Sequence, residues 1–173
     1  MLLNIHPLLV HFPIGLLTLY TFFEVARVRV LTKQSYYFPL KAILVIFGTI
    51  GGVASILSGL WIKSSFMIGG DIGVVMAHED MGYRTMVVYG CIAVIYFFQW
   101  IERSMPQSAV VQHIVVKTAI RWSRTLAKPA FLVVLSIIGF TLLSLTGALG
   151  GSIALGPETD PFASFLYHYF STT

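Results

Sequence analysis

Four apolar runs, at residues 7–26, 40–62, 85–101 and 129–149, alternate with more polar stretches along the chain. An α-helix needs about 20 mainly apolar residues to cross a bilayer, and each run comes close to that. In hydrocarbon the backbone must satisfy its own N–H and C=O groups, so runs of this length predict helices. The connections fall at 27–39, 63–84 and 102–128, and a tail occupies 150–173. The third connection has a helical period of its own. Lys117, Arg121, Arg124 and Lys128 recur every three or four residues, while Val111, Ile114, Val115, Thr118, Ala119, Trp122 and Leu126 fall on another face. This predicts an amphipathic helix over about 108–128, lying at the membrane surface with its basic stripe on anionic lipid headgroups. The expected fold is therefore all-α: an integral membrane four-helix bundle in one domain, 1–173, with an interfacial helix between the third and fourth spans.

Composition agrees. The chain is 57% hydrophobic and 10% charged, with mean hydropathy +0.84, against about 25% charged residues in a soluble domain. Residues 1–5 carry no basic start and Glu24, Arg27 and Arg29 follow the first run, so that run reads as a retained helix rather than a signal peptide. Cys91 stands alone inside an apolar run, so no disulfide or Cys-x-x-Cys motif is available.

Charge sets the expected orientation. Arg27, Arg29, Lys33 and Lys41 flank the first connection, and Arg103, Lys117, Arg121, Arg124 and Lys128 the third; only Lys63 and Arg84 fall in the second. The positive-inside rule then puts the first and third connections in the cytoplasm and both termini outside, as expected for a multi-pass protein of a bacterial inner membrane. Asp71, Glu79, Asp80, Glu158 and Asp160 fall on the outer side, where they would suit a basic periplasmic cytochrome.

In the second run Gly51, Ser55 and Gly59 recur every four residues, with Gly48 and Gly52 beside them. Small residues at this spacing let helices approach closely in lipid, or leave room for a flat macrocycle. Tyr83 and Trp100 suit the two interfaces of the third span. Arg84 suits a headgroup, or a buried acid or haem propionate gripped by its planar fork.

The first run opens His6-Pro7-Leu8-Leu9-Val10-His11-Phe12-Pro13-Ile14. Pro7 suits a first helical position, whereas Pro13 cannot donate to the carbonyl of Leu9 and favours a kink that aims His11. On these residues the chain resembles an uncharacterised bacterial family of small four-helix integral membrane proteins, whose first helix opens His-Pro-x-x-Val-His-Phe-Pro-Ile. The resemblance extends to the glycine-rich second span, to His78, and to Thr146-Gly147-Ala148-Leu149-Gly150-Gly151, where other members more often carry a histidine in place of Ala148. It implies fold and topology rather than an activity.

Four histidines, His6, His11, His78 and His168, are expected on the outer side, and His113 on the inner. Two neutral imidazoles from facing helices can hold a haem iron with no fixed sequence spacing. His11 and His78 are the expected metal ligands, with His6, His168 and Arg84 as further cofactor-binding candidates. His6 and His11 lie about 140° apart at about 100° per residue, so a regular helix would not aim both at one metal. The absence of His-x-x-x-His and Glu-x-x-His from the spans argues against zinc-hydrolase and di-iron sites. Nor does any nucleophile stand beside a paired base in a recognisable motif, so no independent catalysis is expected. The expected function is a small b-type cytochrome or haem-bearing electron-transfer subunit. The alternatives are a non-catalytic subunit of a larger membrane complex and a histidine-based copper site. Nothing points to nucleic acid.

Overall fold

A computed structural model describes the backbone of residues 6–69 and 71–171, and the side chains of those residues except 64–69 and 159. Among them there is no strand. Eight helices follow one another: α1 His6–Ala26, α2 Arg29–Thr32, α3 Tyr37–Gly69, α4 Ile72–Ser104, α5 Ala109–Gln112, α6 Ile114–Leu126, α7 Pro129–Leu155 and α8 Pro161–Phe170, with a 3₁₀ turn at Pro157–Thr159 before the last. Four of them, α1, α3, α4 and α7, are long and apolar enough to cross a membrane.

α1 packs on α3, α3 on α4, α4 on α7 and α7 on α1, which closes an up-and-down bundle. Neighbours are antiparallel, so α1 and α4 run parallel on one diagonal. Glycines set how closely they approach. A Cβ added at Gly48 would lie 2.6 Å from Leu17 on α1, and one at Gly52 would lie 2.1 Å from the Met86 sulfur on α4. Gly48 and Gly51 of α3 thus face α1 and Gly52 faces α4, and each gap is filled by a side chain.

The helices outrun their apolar cores. α3 and α4 each have 33 residues, about 50 Å of helix against about 40–45 Å for a bilayer with its headgroups. Most of the polar stretch 63–84 is therefore helical, and His78 lies within α4 instead of in a loop before it. Local chemistry accounts for the boundary: Asp71 caps α4 by accepting from the Val74 N–H. α1 stops where Arg27 takes a positive φ of 42°. Asp160 caps α8 by accepting from the N–H groups of Phe162 and Ala163, with Pro161 at the first helical position.

The amphipathic segment is two helices, broken at His113, which has extended backbone. α6 rests on α4 through buried Ile120 and Ser123. It keeps Lys117, Arg121 and Arg124 exposed, and Arg124 grips Glu102 of α4 through both carboxylate oxygens. At the opposite end α8 folds onto α7 and α4, closing a small core of Val74, Leu149 and Leu166.

Candidate functional site

A cavity of about 470 Å³ opens among α1, α3, α4 and α7 at the end of the bundle remote from α6, within the ordinary range for small-molecule sites. Its wall is mainly apolar, with Val10, Ile14, Ile56, Val75, Met86 and Leu143 among its members. Three histidines reach it: His6, His11 and His78.

His78 is the most firmly held. Its Nδ1 bonds to the Thr146 carbonyl on α7 at 2.9 Å, and a Cβ at Gly150, one turn further along α7, would come within 2.9 Å of its Cε1. Thr146 and Gly150 therefore form a seat: the carbonyl orients the imidazole and the missing side chain leaves it room. The Thr146 hydroxyl also meets Thr85 of α4 at 3.2 Å, tying the same two helices together about two turns further along α4. Nε2 of His78 makes no hydrogen bond among the described residues, and the ring lines the cavity.

His6 repeats the arrangement on the other diagonal member. Its Nδ1 bonds to Ser58 Oγ on α3 at 2.8 Å, and its ring rests on Gly59, where a Cβ would lie 3.1 Å from Cε1. The two imidazoles lie within electrostatic reach of each other. His11 is exposed at the cavity's edge, its Nδ1 turned back to the Pro7 carbonyl of its own helix. Pro13 is buried inside an α1 that continues through it, and Phe12 packs on Gly51. Lys63 and Glu79 form an ion pair at the cavity's more exposed margin.

The other two candidates lie elsewhere. Arg84 is exposed and pairs with Asp80 one turn away at 2.8 Å, away from the cavity lining. His168 is exposed on α8, its ring edge-on to Tyr167, and it too is absent from the lining. Among the described residues no three of His, Cys, Asp and Glu gather closely enough to hold a metal ion. The donor set at the cavity is thus two or three imidazoles in an apolar wall.

The two motifs at opposite ends of the chain meet here. His6-Pro7-x-x-Val10-His11-x-Pro13-Ile14 lines one wall, and Thr146, Gly147, Gly150 and Gly151 line the facing one. The family described as "Predicted membrane protein (DUF2231)" matches residues 2–158. The chain belongs to that family. For this DUF2231 protein the matched span takes in all four membrane helices and every residue of the cavity wall. No curated protein and no solved structure matches it.

A second polar centre went unrecognised in the sequence. At the α6 end Glu24 is 2% exposed, and its Oε2 receives Lys41 Nζ at 2.7 Å, Tyr96 OH at 2.6 Å and Tyr20 OH at 3.4 Å. Ser136 of α7 reaches the Tyr20 hydroxyl at 3.5 Å. The signal was present in the chain: Glu24 and Lys41 each fall inside an apolar run, where a charge at membrane depth calls for a partner.

Proposed function

We propose that this protein binds a b-type haem in the cavity and serves as an electron-transfer subunit near the membrane surface onto which the cavity opens. His78 and His6 would hold its iron. The observation that carries this is the seating of His78: anchored through Nδ1 to a backbone carbonyl, with a glycine beneath the ring and Nε2 turned to an apolar cavity. A ligand imidazole held through its other nitrogen has a fixed tautomer and orientation, which is what a metal centre requires of it. The matching anchorage of His6 on Ser58 and Gly59 supports the second ligand. A bis-imidazole haem would supply one-electron chemistry, tuned by the dry wall around it. Copper is less well served, because among the described residues no three of His, Cys, Asp and Glu gather closely enough to hold a metal ion.

The basic residues around α6 favour placing that end in the cytoplasm of a bacterial inner membrane, on anionic lipid, with the cavity and the acids around it facing outward. A basic periplasmic cytochrome would suit that acidic outer face.

Purified protein tests the proposal directly. A Soret band that shifts on dithionite reduction is expected, lost in His78→Ala and His6→Ala and kept in His11→Ala. Gly150→Ala, which presses on the His78 ring, should weaken haem retention about tenfold. Loss with His11→Ala in place of His6→Ala would reassign the second ligand. A colourless protein that takes up no added haemin would overturn the proposal. It would favour a non-catalytic subunit that docks through open glycine positions such as Gly15 and Gly90, which have no neighbour within 4 Å.

A further inference from the structure

The Glu24 centre at the α6 end is separate from the cavity and has no part in haem binding. Taking two charges out of water costs several kcal/mol per ion, and an apolar core of similar volume is often as stable. An ion pair sunk among four membrane helices therefore invites a functional explanation. Its hydrogen bonding is lopsided. Among the described residues the three donors, from Lys41, Tyr20 and Tyr96, bond to Oε2, and Oε1 accepts none. No fully buried side-chain oxygen among the described residues lacks a partner. Oε1 must therefore open onto the small part of this side chain that remains accessible.

We propose that Glu24 is a proton-exchange site, at which Oε1 takes up and releases a proton at the α6 end of the bundle while Oε2 stays clamped. The proton comes from water at that end and forms an O–H bond on Oε1, leaving a neutral acid; release reverses the step. No electron moves. The surroundings suit both charge states. With Glu24 ionised, Lys41 neutralises it at 2.7 Å. With Glu24 protonated, the Lys41 ammonium still lies 4.8 Å from the centre of the Tyr37 ring and 5.5 Å from that of Tyr96, so cation–π attraction holds the cation once its counter-charge is gone.

The groups facing Glu24 are few. α1 supplies Tyr20, α3 supplies Lys41 and Tyr37, and α4 supplies Tyr96; α7 contributes only the neutral Ser136, through Tyr20. Arg27 lies in the electrostatic surroundings of Tyr37, and Arg103 stacks on Phe38, which stacks on Tyr96. Deeper in the bundle Tyr89 bonds to Thr21 at 2.8 Å, and its ring meets Tyr20 edge-on. From there to Thr85 is one turn of α4, with Leu17, Met86 and Leu143 packed about it. The hydrogen-bonded run therefore ends short of the cavity, and exchange is confined to the α6 end.

Infrared difference spectra across a pH titration of the protein in nanodiscs, repeated in heavy water, test this. The expected result is a carbonyl stretch of a protonated, buried carboxyl group that grows as pH falls and shifts on deuteration. It should vanish in Glu24→Gln and persist in His78→Ala. Should Glu24→Gln fail to fold, labelling by dicyclohexylcarbodiimide, followed by peptide mass analysis, reads the same site: the adduct on Glu24 should increase as pH falls. A titrating band that survives Glu24→Gln, or no titrating band and no Glu24 adduct over the range in which the protein stays folded, would overturn the proposal.

Discussion

At the α6 end of the bundle, side chains from four helices gather about one carboxylate, whereas at the other end two imidazoles are tied back by Nδ1 around an open volume. Both ends put polar groups inside a membrane protein, yet they treat them oppositely. Around Glu24 the donors point inward at each other, so the charge is compensated internally and the helices are locked together. Around His78 and His6 the partners lie behind the rings, on Thr146 and Ser58, so the rings are oriented toward space instead of toward each other's donors. The first arrangement suits stability and proton binding. The second suits receiving something from outside the chain.

The comparison is broken most forcefully at the ion pair. Lys41→Ala, which leaves Glu24 buried without its cation, should cost about 3–5 kcal/mol in unfolding; the double change Glu24→Gln with Lys41→Met should recover most of that. A smaller loss in the single variant would mean that the hydroxyls of Tyr20 and Tyr96 hold the carboxylate without its cation. Tyr96→Phe removes one hydrogen bond to a charged acceptor and should cost about 1.5–3 kcal/mol, measured in the same detergent by thermal denaturation. His78→Ala should cost only about 1 kcal/mol, because Thr146 O loses a single side-chain bond and the ring already borders a cavity. A loss as large as that of Lys41→Ala would make His78 a structural post and erase the contrast between the ends. Arg84→Ala, at an exposed pair one turn apart on the helix, should change stability by no more than about 0.5 kcal/mol and leave haem retention untouched.

Much of this arrangement was legible in the chain, and for local reasons. The four spans follow from runs of apolar residues, because a lipid environment demands both length and internal hydrogen bonding. The amphipathic segment follows from a three-and-four spacing of cations, though its division into two helices at His113 depends on a backbone turn that periodicity does not reveal. The candidate ligands were only partly legible. His11 and His78 stood out, but His6 and His11 are neighbours on one helix, and residue type alone cannot say which ring turns inward. The packing of α1 on α3 answers that: Gly59 and Ser58 receive His6, while Gly51 receives Phe12 and leaves His11 at the edge.

The Glu24 centre shows the same division from the other side. The chain places one acid and one base inside separate apolar runs 17 residues apart, and that by itself determines that each must find a partner or stay near water. Spacing does not say which partner, since Lys41, Tyr20, Tyr96 and Ser136 come from four helices whose rotation about their axes is set by glycine contacts far from the charges. Membrane insertion and the clustering of basic residues near one end are properties of composition and order along the chain, so the sequence alone determines them. Which imidazoles face a common space, and which oxygen of a buried carboxylate is left open, depend on how four helices rotate against one another, and only the tertiary structure decides that.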